Sequence, residues 1–85
     1  MGVRDYAMPD EIRFLCLLHN VGATSSDRSL TVEEIVRWTV MEPEDVLQNL
    51  EKLINGDYVH ASPVEDARRY HVTVDGIRKV LSMYS

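Results

Sequence analysis

Residues 41–60 read MEPEDVLQNLEKLINGDYVH and carry the clearest structural signals in the chain. Pro43 followed by Glu44 and Asp45 is typical of a first helical turn, because proline needs no hydrogen-bond partner there and carboxylates favour the positive end of the helix dipole. Gly56 predicts the end of the helix. The apolar residues between these signals have the spacing of one buried stripe: Val46, Leu47, Leu50, Leu53 and Ile54.

A second helix is predicted just before this one. Thr31 and Glu34 have the spacing of a capping box, in which each side chain accepts a hydrogen bond from the other residue's backbone N–H. Val32, Ile35, Val36 and Thr39 would form its inner face. The pattern therefore indicates two consecutive helices joined by a short turn.

The residues after Gly56 predict a hairpin and a last helix. Residues 58–62 and 69–72 have the composition of short strands, and residues 63–68 would form the tip between them. Thr73 is a suitable cap for a final helix, whose apolar positions are Val74, Ile77, Val80, Leu81 and Tyr84. The order is helix, turn, helix, strand, loop, strand, helix.

The first helix is predicted to begin at Pro9, after a loose lead of residues 1–8. It is apolar over so much of its surface that it requires burial on two sides. One side would be the core of its own domain, and the other a partner subunit. The residues that make up its apolar surface are Ile12, Phe14, Leu15, Cys16, Leu17, Leu18 and Val21.

Composition bounds the class of protein. Eighty-five residues with 45% hydrophobic and 27% charged content predict one small domain, residues 9–85 after the lead. The chain has neither an apolar run near the ~20 residues of a membrane span nor the apolar core of a signal peptide. Its one cysteine cannot form an internal disulfide. These features predict a cytoplasmic protein that does not associate with membranes.

Charge is unevenly distributed. The net charge is −5. Residues 30–60 hold seven acidic and two basic residues, and 2 − 7 = −5, so they carry the whole excess. Because phosphate repels carboxylate, this acidity opposes binding of nucleic acid through the central helices.

The order of elements resembles the winged helix-turn-helix domain of small bacterial and archaeal regulators, the MarR-like and ArsR-like groups. Roughly 50 of the 85 residues carry the resemblance. The pieces are LTVEEIV at 30–36, EPEDVLQNLEKLINGDYV at 42–59 and RYHVTVDGIRKVL at 69–81. The implied fold class is α+β, with a three-helix core, a two-stranded wing hairpin and a C-terminal helix.

The resemblance implies a DNA-binding transcriptional regulator that lays helix 42–55 in the major groove of double-stranded DNA and wing 62–69 on backbone phosphates. The DNA-binding residues would be Arg37, Gln48, Asn49, Lys52, Arg68 and Arg69. Of these, Gln48 and Asn49 have amides that can pair with adenine. The resemblance also implies a homodimer joined by the first and last helices, through Ile12, Leu15, Cys16, Ile77, Leu81 and Tyr84.

The chain departs from the pattern of these regulators in the turn. Val40 stands where such turns often have glycine, and Trp38 occupies a usually polar position. Trp38 could be an exposed anchor, since tryptophan is enriched at interaction hot spots, or it could pack inside. The alternative function is a winged-helix module that binds a basic protein partner and not DNA.

Other chemistry finds little support in the sequence. The chain has no glycine-rich phosphate loop, no HExxH and no GxSxG elbow, so we expect no enzyme and no cofactor. Cys16 with His19, His60 and His71 lacks a known zinc spacing. The last two histidines could face one another across the hairpin, but two ligands are an incomplete set, so no metal site is predicted.

Overall fold

A computed structural model describes residues 8–64 and 67–83. The elements are α1 Asp10–Asn20, a 3₁₀ turn Ser26–Arg28, α2 Val32–Thr39, α3 Pro43–Asn55, β1 Val59–Val64, β2 Ala67–Val72 and α4 Val74–Ser82. This order and the antiparallel hairpin confirm the predicted winged helix-turn-helix fold. The predicted loose lead falls almost entirely outside the described residues, and so does Tyr84 of the predicted dimer interface.

The last three helices begin where the sequence predicts, and α1 begins one residue later than predicted, at Asp10, with Pro9 as its N-cap. The hydroxyl of Thr31 accepts a hydrogen bond from the Glu34 N–H at 3.2 Å, and the Glu34 carboxylate accepts one from the Thr31 N–H at 2.9 Å. Pro43 is the first residue of α3. The Thr73 hydroxyl accepts from the Gly76 N–H at 3.0 Å and donates to the Asp57 carbonyl at 2.7 Å, which ties α4 to the end of α3. Each such cap contributes about 1 kcal/mol.

One core holds the helices and the hairpin together. α1 packs against α3 and α4, and α2 packs against α3 and β2. A fully buried aliphatic or aromatic side chain stabilises the fold by about 1.5–3 kcal/mol. The core is formed by Phe14, Leu15, Leu18, Ile35, Val46, Leu50, Leu53, Val59, Tyr70, Val72 and Val80.

The predicted dimer interface is wrong at two positions. Leu15 is fully buried and Ile12 is buried too, because the domain's own α3 and α4 cover this side of α1. Neither side chain therefore offers surface to a second subunit. Cys16 and Ile77 are half-buried and pack against the core, whereas Leu81 is exposed.

The hairpin is longer than predicted. Six pairs join the strands, from Val59 opposite Val72 to Val64 opposite Ala67, so only residues 65 and 66 separate them. Pro63, expected in the loop, lies within β1, where a residue without an N–H is tolerated on a hairpin with open edges. Arg68, expected in the loop with it, belongs to β2.

Two positions are set by close backbone geometry. Val40, which ends α2, adopts a left-handed conformation with φ 57°, which is costly for a β-branched residue. Gly76 lies so close to the chain before β1 that a Cβ there would overlap the Tyr58 carbonyl oxygen and approach Val72 Cγ1 within 2.6 Å. Gly56 ends α3 as predicted, but with φ −90°, and the left-handed residue is Asp57 at φ 65°.

No helix in the described part of the chain is both long and apolar enough to cross a membrane.

Candidate nucleic-acid interface

The outer face of α3 is uncovered. At about 100° of rotation per residue, the positions opposite the buried stripe are Glu44, Gln48, Glu51 and Asn55, and all four are exposed. Gln48 was predicted for this surface from the sequence, whereas Glu51 and Asn55 were not. Leu47, which was predicted to be buried, lies at one edge with 49% exposure. The helix that a winged domain offers to a groove therefore has two amides and two carboxylates along its centre.

Asn49 does not belong to this face. It is buried at 8% exposure, and its Nδ2 donates to the Asp45 carbonyl at 2.9 Å, one turn earlier. A buried amide is tolerated there because this bond satisfies a donor. The prediction that Asn49 reads bases is therefore wrong, and its neighbour Gln48 remains the exposed amide of the pair.

Arg68 and Arg69 lie on opposite faces of the wing, because successive side chains of a strand alternate. Arg68 is exposed on the same face as Tyr70 and lines a groove of about 440 Å³ between α3 and the wing. The residues lining this groove are Leu47, Leu50, Glu51, Ile54, Asn55, Arg68 and Tyr70. Arg68 thus sits beside the outer face of α3, as a wing cation on phosphate requires, with the Glu51 carboxylate in the same groove.

Arg69 is occupied by the fold itself. Its guanidinium donates to the Ser29 carbonyl at 2.9 Å and to the Ser29 hydroxyl at 3.3 Å, and it forms an ion pair with Glu34 at 3.5 Å. Ser29 is buried, so these bonds tie β2 to the start of α2. Because the Nε and Nη2 donors of Arg69 are already in use and its charge is paired with Glu34, the prediction that Arg69 contacts DNA is not supported by its contacts.

The same contacts tune Glu34. The hydrogen bond from the Thr31 N–H lowers the pKa of Glu34 most, and burial opposes it. The charge of Arg69, the Thr31 hydroxyl and the charge of Arg37 each lower the pKa further. Glu34 is therefore a carboxylate that holds the first turn of α2 in place. Arg37, one turn along, is exposed.

Lys52 lies on the other side of α3 from the wing. It lines a groove of about 390 Å³ between α1 and α3, together with Arg13, Asp45 and Gln48. Arg68 and Lys52 thus lie on opposite flanks of α3, and Arg37 lies on α2, so these basic residues line three separate depressions. A carboxylate interrupts each flank, Glu51 beside Arg68 and Asp45 beside Lys52.

The end of α2 exposes apolar surface. Trp38 is 61% exposed and lines a depression of about 360 Å³ with Glu34 and Arg37. Val40, two residues later, is 89% exposed. Of the two alternatives for Trp38, the exposed position is the one found.

Cys16 has the surroundings of a packing residue. It is half-buried in α1, and burial raises the pKa of its thiol. A raised pKa keeps the thiol protonated near neutral pH, and the thiolate is the reactive form.

No protein-family model matches the sequence, and no curated protein matches it. Solved structures match over most of the chain. The DNA-binding TubR fragment from Clostridium botulinum gives a TM-score of 0.76 at 20% identity, over 87% of this chain and 93% of the fragment. BpsR of Bordetella bronchiseptica, whose DNA binding is regulated by 6-hydroxynicotinic acid, gives 0.77 at 18% identity, over 98% of this chain and 65% of its own.

A mutant of E. coli MarR, solved with operator DNA, gives 0.71 at 13% identity, over 87% of this chain and 51% of its own. The chain therefore spans about two thirds of BpsR and half of MarR. At these identities the likeness concerns the fold, and all three comparisons agree that this fold is the winged helix-turn-helix.

Proposed function

We propose that this protein is a cytoplasmic DNA-binding transcriptional regulator that inserts α3 into the major groove of double-stranded DNA. The observation that carries the proposal is the uncovered outer face of α3 with Arg68 beside it on the wing. The likeness to the TubR DNA-binding fragment and to MarR on its operator supports it at the level of the fold.

Each exposed polar residue has a proposed role. Gln48 reads a base, because its amide can pair with adenine in two hydrogen bonds, and Asn55 offers a second amide on the same stripe. Arg68 binds a backbone phosphate from the wing. Arg37 and Lys52 bind phosphates on the flanks of α3.

These three cations set the expected salt dependence. Each neutralised phosphate contributes about −0.9 to the slope of log K against log salt, so three give about −2.7 per subunit and two subunits about −5. Raising salt fourfold should then weaken binding by roughly 40-fold for one subunit and by over 1,000-fold for two. If the affinity for DNA does not change with salt concentration, these three residues do not contact phosphates.

The test is fluorescence anisotropy with labelled duplex DNA at about 50 and 200 mM salt, first with random sequence and then with a selected site. We expect Gln48→Ala to weaken binding to the selected site more than to random DNA, and Arg68→Ala to weaken both alike. Arg78→Ala is the matched control, since it removes an exposed arginine of α4 to which no DNA contact is assigned. An absence of binding by the wild-type protein at low salt would overturn the proposal.

We further propose that the regulator is a homodimer. The support is the resemblance together with apolar side chains left exposed on the first and last helices, Leu17 at 42% and Leu81 at 54%. A two-fold dimer would place its two α3 helices about 34–36 Å apart, one turn of DNA. Sedimentation equilibrium of the wild type and of Leu81→Glu tests this, and a monomeric wild type at tens of micromolar would contradict it.

The second candidate function is binding of a basic protein. The exposed Trp38 and Val40 favour it, because an apolar anchor beside acidic helices suits a partner with an apolar side chain flanked by lysine or arginine. Trp38→Ala separates the two functions. It should leave DNA binding within twofold if the DNA proposal is right, and it should abolish capture of the partner if the alternative is right.

A further inference from the structure

Two histidines face one another across the wing. His60 of β1 is directly opposite His71 of β2, and their ring centroids are 5.4 Å apart with planes inclined at 59°. Val59 and Val72, the next pair along, point into the core. Since side chains alternate along a strand, the histidine pair lies on the outer face of the hairpin.

The separation is the one expected for two imidazoles that share a metal ion. A nitrogen-to-metal distance of about 2.0–2.1 Å, added to about 1.1 Å from nitrogen to ring centre, puts each centroid about 3.2 Å from the ion. At a tetrahedral angle, two such rings have centroids about 5.2 Å apart. The observed distance lies within a few tenths of an ångström of this value, so the two rings already stand at the required spacing.

One of the rings also lacks a partner. The Nδ1 atom of His71 is buried and accepts or donates no hydrogen bond among the described residues. A buried polar atom without a partner is costly to the fold, and a bound ion or water would satisfy it. His60 is exposed, so its ring is free to turn toward an ion beside His71.

Two imidazoles alone do not complete the coordination of a metal ion. No group of three or more histidine, cysteine or carboxylate residues lies together in the described part of the chain, so an ion here would keep water in its other positions.

We propose that His60 and His71 form a two-histidine site for a divalent transition metal on the wing. Imidazole ligands favour Cu²⁺, Ni²⁺ and Zn²⁺, and the intrinsic order places Cu²⁺ above the other two. The ion links β1 to β2 three residues from Arg68 and so stiffens the strand that carries this cation. The site does not depend on the proposed DNA function, because it is tested without DNA.

The experiment is calorimetric titration of the purified protein with CuCl₂, NiCl₂ and ZnCl₂ near pH 7.5. We expect one ion per chain, with Cu²⁺ the tightest. His60→Ala should weaken binding by about tenfold or more, since even the loss of an outer-shell partner of a metal ligand costs 10–100-fold. His19→Gln, which changes the histidine of α1, is the matched control and should bind like the wild type.

A second measurement locates the ion. In ¹⁵N-labelled protein, paramagnetic Cu²⁺ should broaden the amide signals of residues 59–61 and 70–72 first. Unchanged affinity in His60→Ala, lost affinity in His19→Gln, or broadening that begins outside the hairpin would each overturn the proposal. Absence of binding by the wild type would also overturn it.

Discussion

The adjacent arginines of the wing allow the sharpest separation of stability from binding. Replacing Arg69 by alanine removes two hydrogen bonds to Ser29, at 2.9 and 3.3 Å, and the 3.5 Å ion pair with Glu34. A hydrogen bond from a charged donor contributes about 1.5–3 kcal/mol, whereas a partly exposed ion pair contributes about 0–1 kcal/mol. Because the Arg69 side chain is 34% exposed, solvent screens these contacts, and we expect a total loss near or below the bottom of the hydrogen-bond range, about 1–2 kcal/mol.

Arg68→Ala should behave in the opposite way. Its side chain is exposed and accounts for none of the ion pairs within 4 Å among the described residues, so its removal should change stability by no more than about 0.5 kcal/mol. The salt slope for DNA should instead become shallower by about 0.9 per subunit. Arg69→Ala should therefore lower the stability of the domain, and Arg68→Ala should lower its affinity for DNA.

Thermal unfolding followed by circular dichroism measures the first effect. In a domain of this size, a loss of 1–2 kcal/mol lowers the unfolding midpoint by roughly 4–16 °C. Arg69→Lys is the control for charge, and it should recover only part of the loss because an ammonium cannot reproduce the forked contacts. If Arg69→Ala unfolds at the same temperature as Arg68→Ala, the contacts of Arg69 do not stabilise the wing and this reasoning fails.

Three further predictions concern the backbone and one carboxylate. Val40→Gly should raise the free energy of unfolding, measured in urea, by about 0.5–1 kcal/mol. The left-handed conformation costs valine about 1–2 kcal/mol, and the greater chain entropy of glycine in the unfolded state offsets part of that relief. A lower free energy of unfolding would contradict this. Gly76→Ala should destabilise by about 2–3 kcal/mol because its Cβ would overlap backbone, whereas in Gly56→Ala the nearest atoms lie 3.6 Å away and the urea midpoint should move little. The pKa of Glu34 is lowered on folding, so its contribution is present above the unfolded value of 4.5 and is lost as pH falls through the folded value. Glu34→Gln should therefore unfold with less dependence on pH between 6 and 3 than the wild type or Glu33→Gln, and equal dependence would refute the assignment.

Helix starts and the buried stripe could be predicted because they depend on local chemistry. Thr31 and Glu34 find each other within one turn, and the periodicity of α3 fixes its inner face almost without reference to the rest of the chain. The burial of Asn49 was not predicted, because its polar side chain was taken as a sign of exposure. Its hydrogen bond to the Asp45 carbonyl, one turn earlier, allows this polar side chain to be buried.

The remaining errors came from tertiary structure. The apolar width of α1 suggested a second subunit, but α3 and α4 already cover Ile12 and Leu15. The prediction that Arg68 and Arg69 both contact DNA placed the start of β2 at Arg69, two residues too late. Once β2 begins at Ala67, alternation alone separates the two arginines. That boundary follows from the pairing of Ala67 with Val64 across the hairpin, which composition alone did not indicate.

The arrangement of charge around α3 has a consequence for selectivity. Glu44 and Glu51 lie on the outer face, and the cations lie on its flanks. In a groove both sets would be within a Debye length of phosphate, about 8 Å at physiological salt, so attraction and repulsion would largely cancel. Non-specific binding rests on that electrostatic term, whereas base contacts by Gln48 add to a matched site alone. We therefore expect Glu44→Gln with Glu51→Gln to tighten binding to random DNA more than to the selected site and so lower the ratio between them. An unchanged ratio would mean that these carboxylates stay outside the groove.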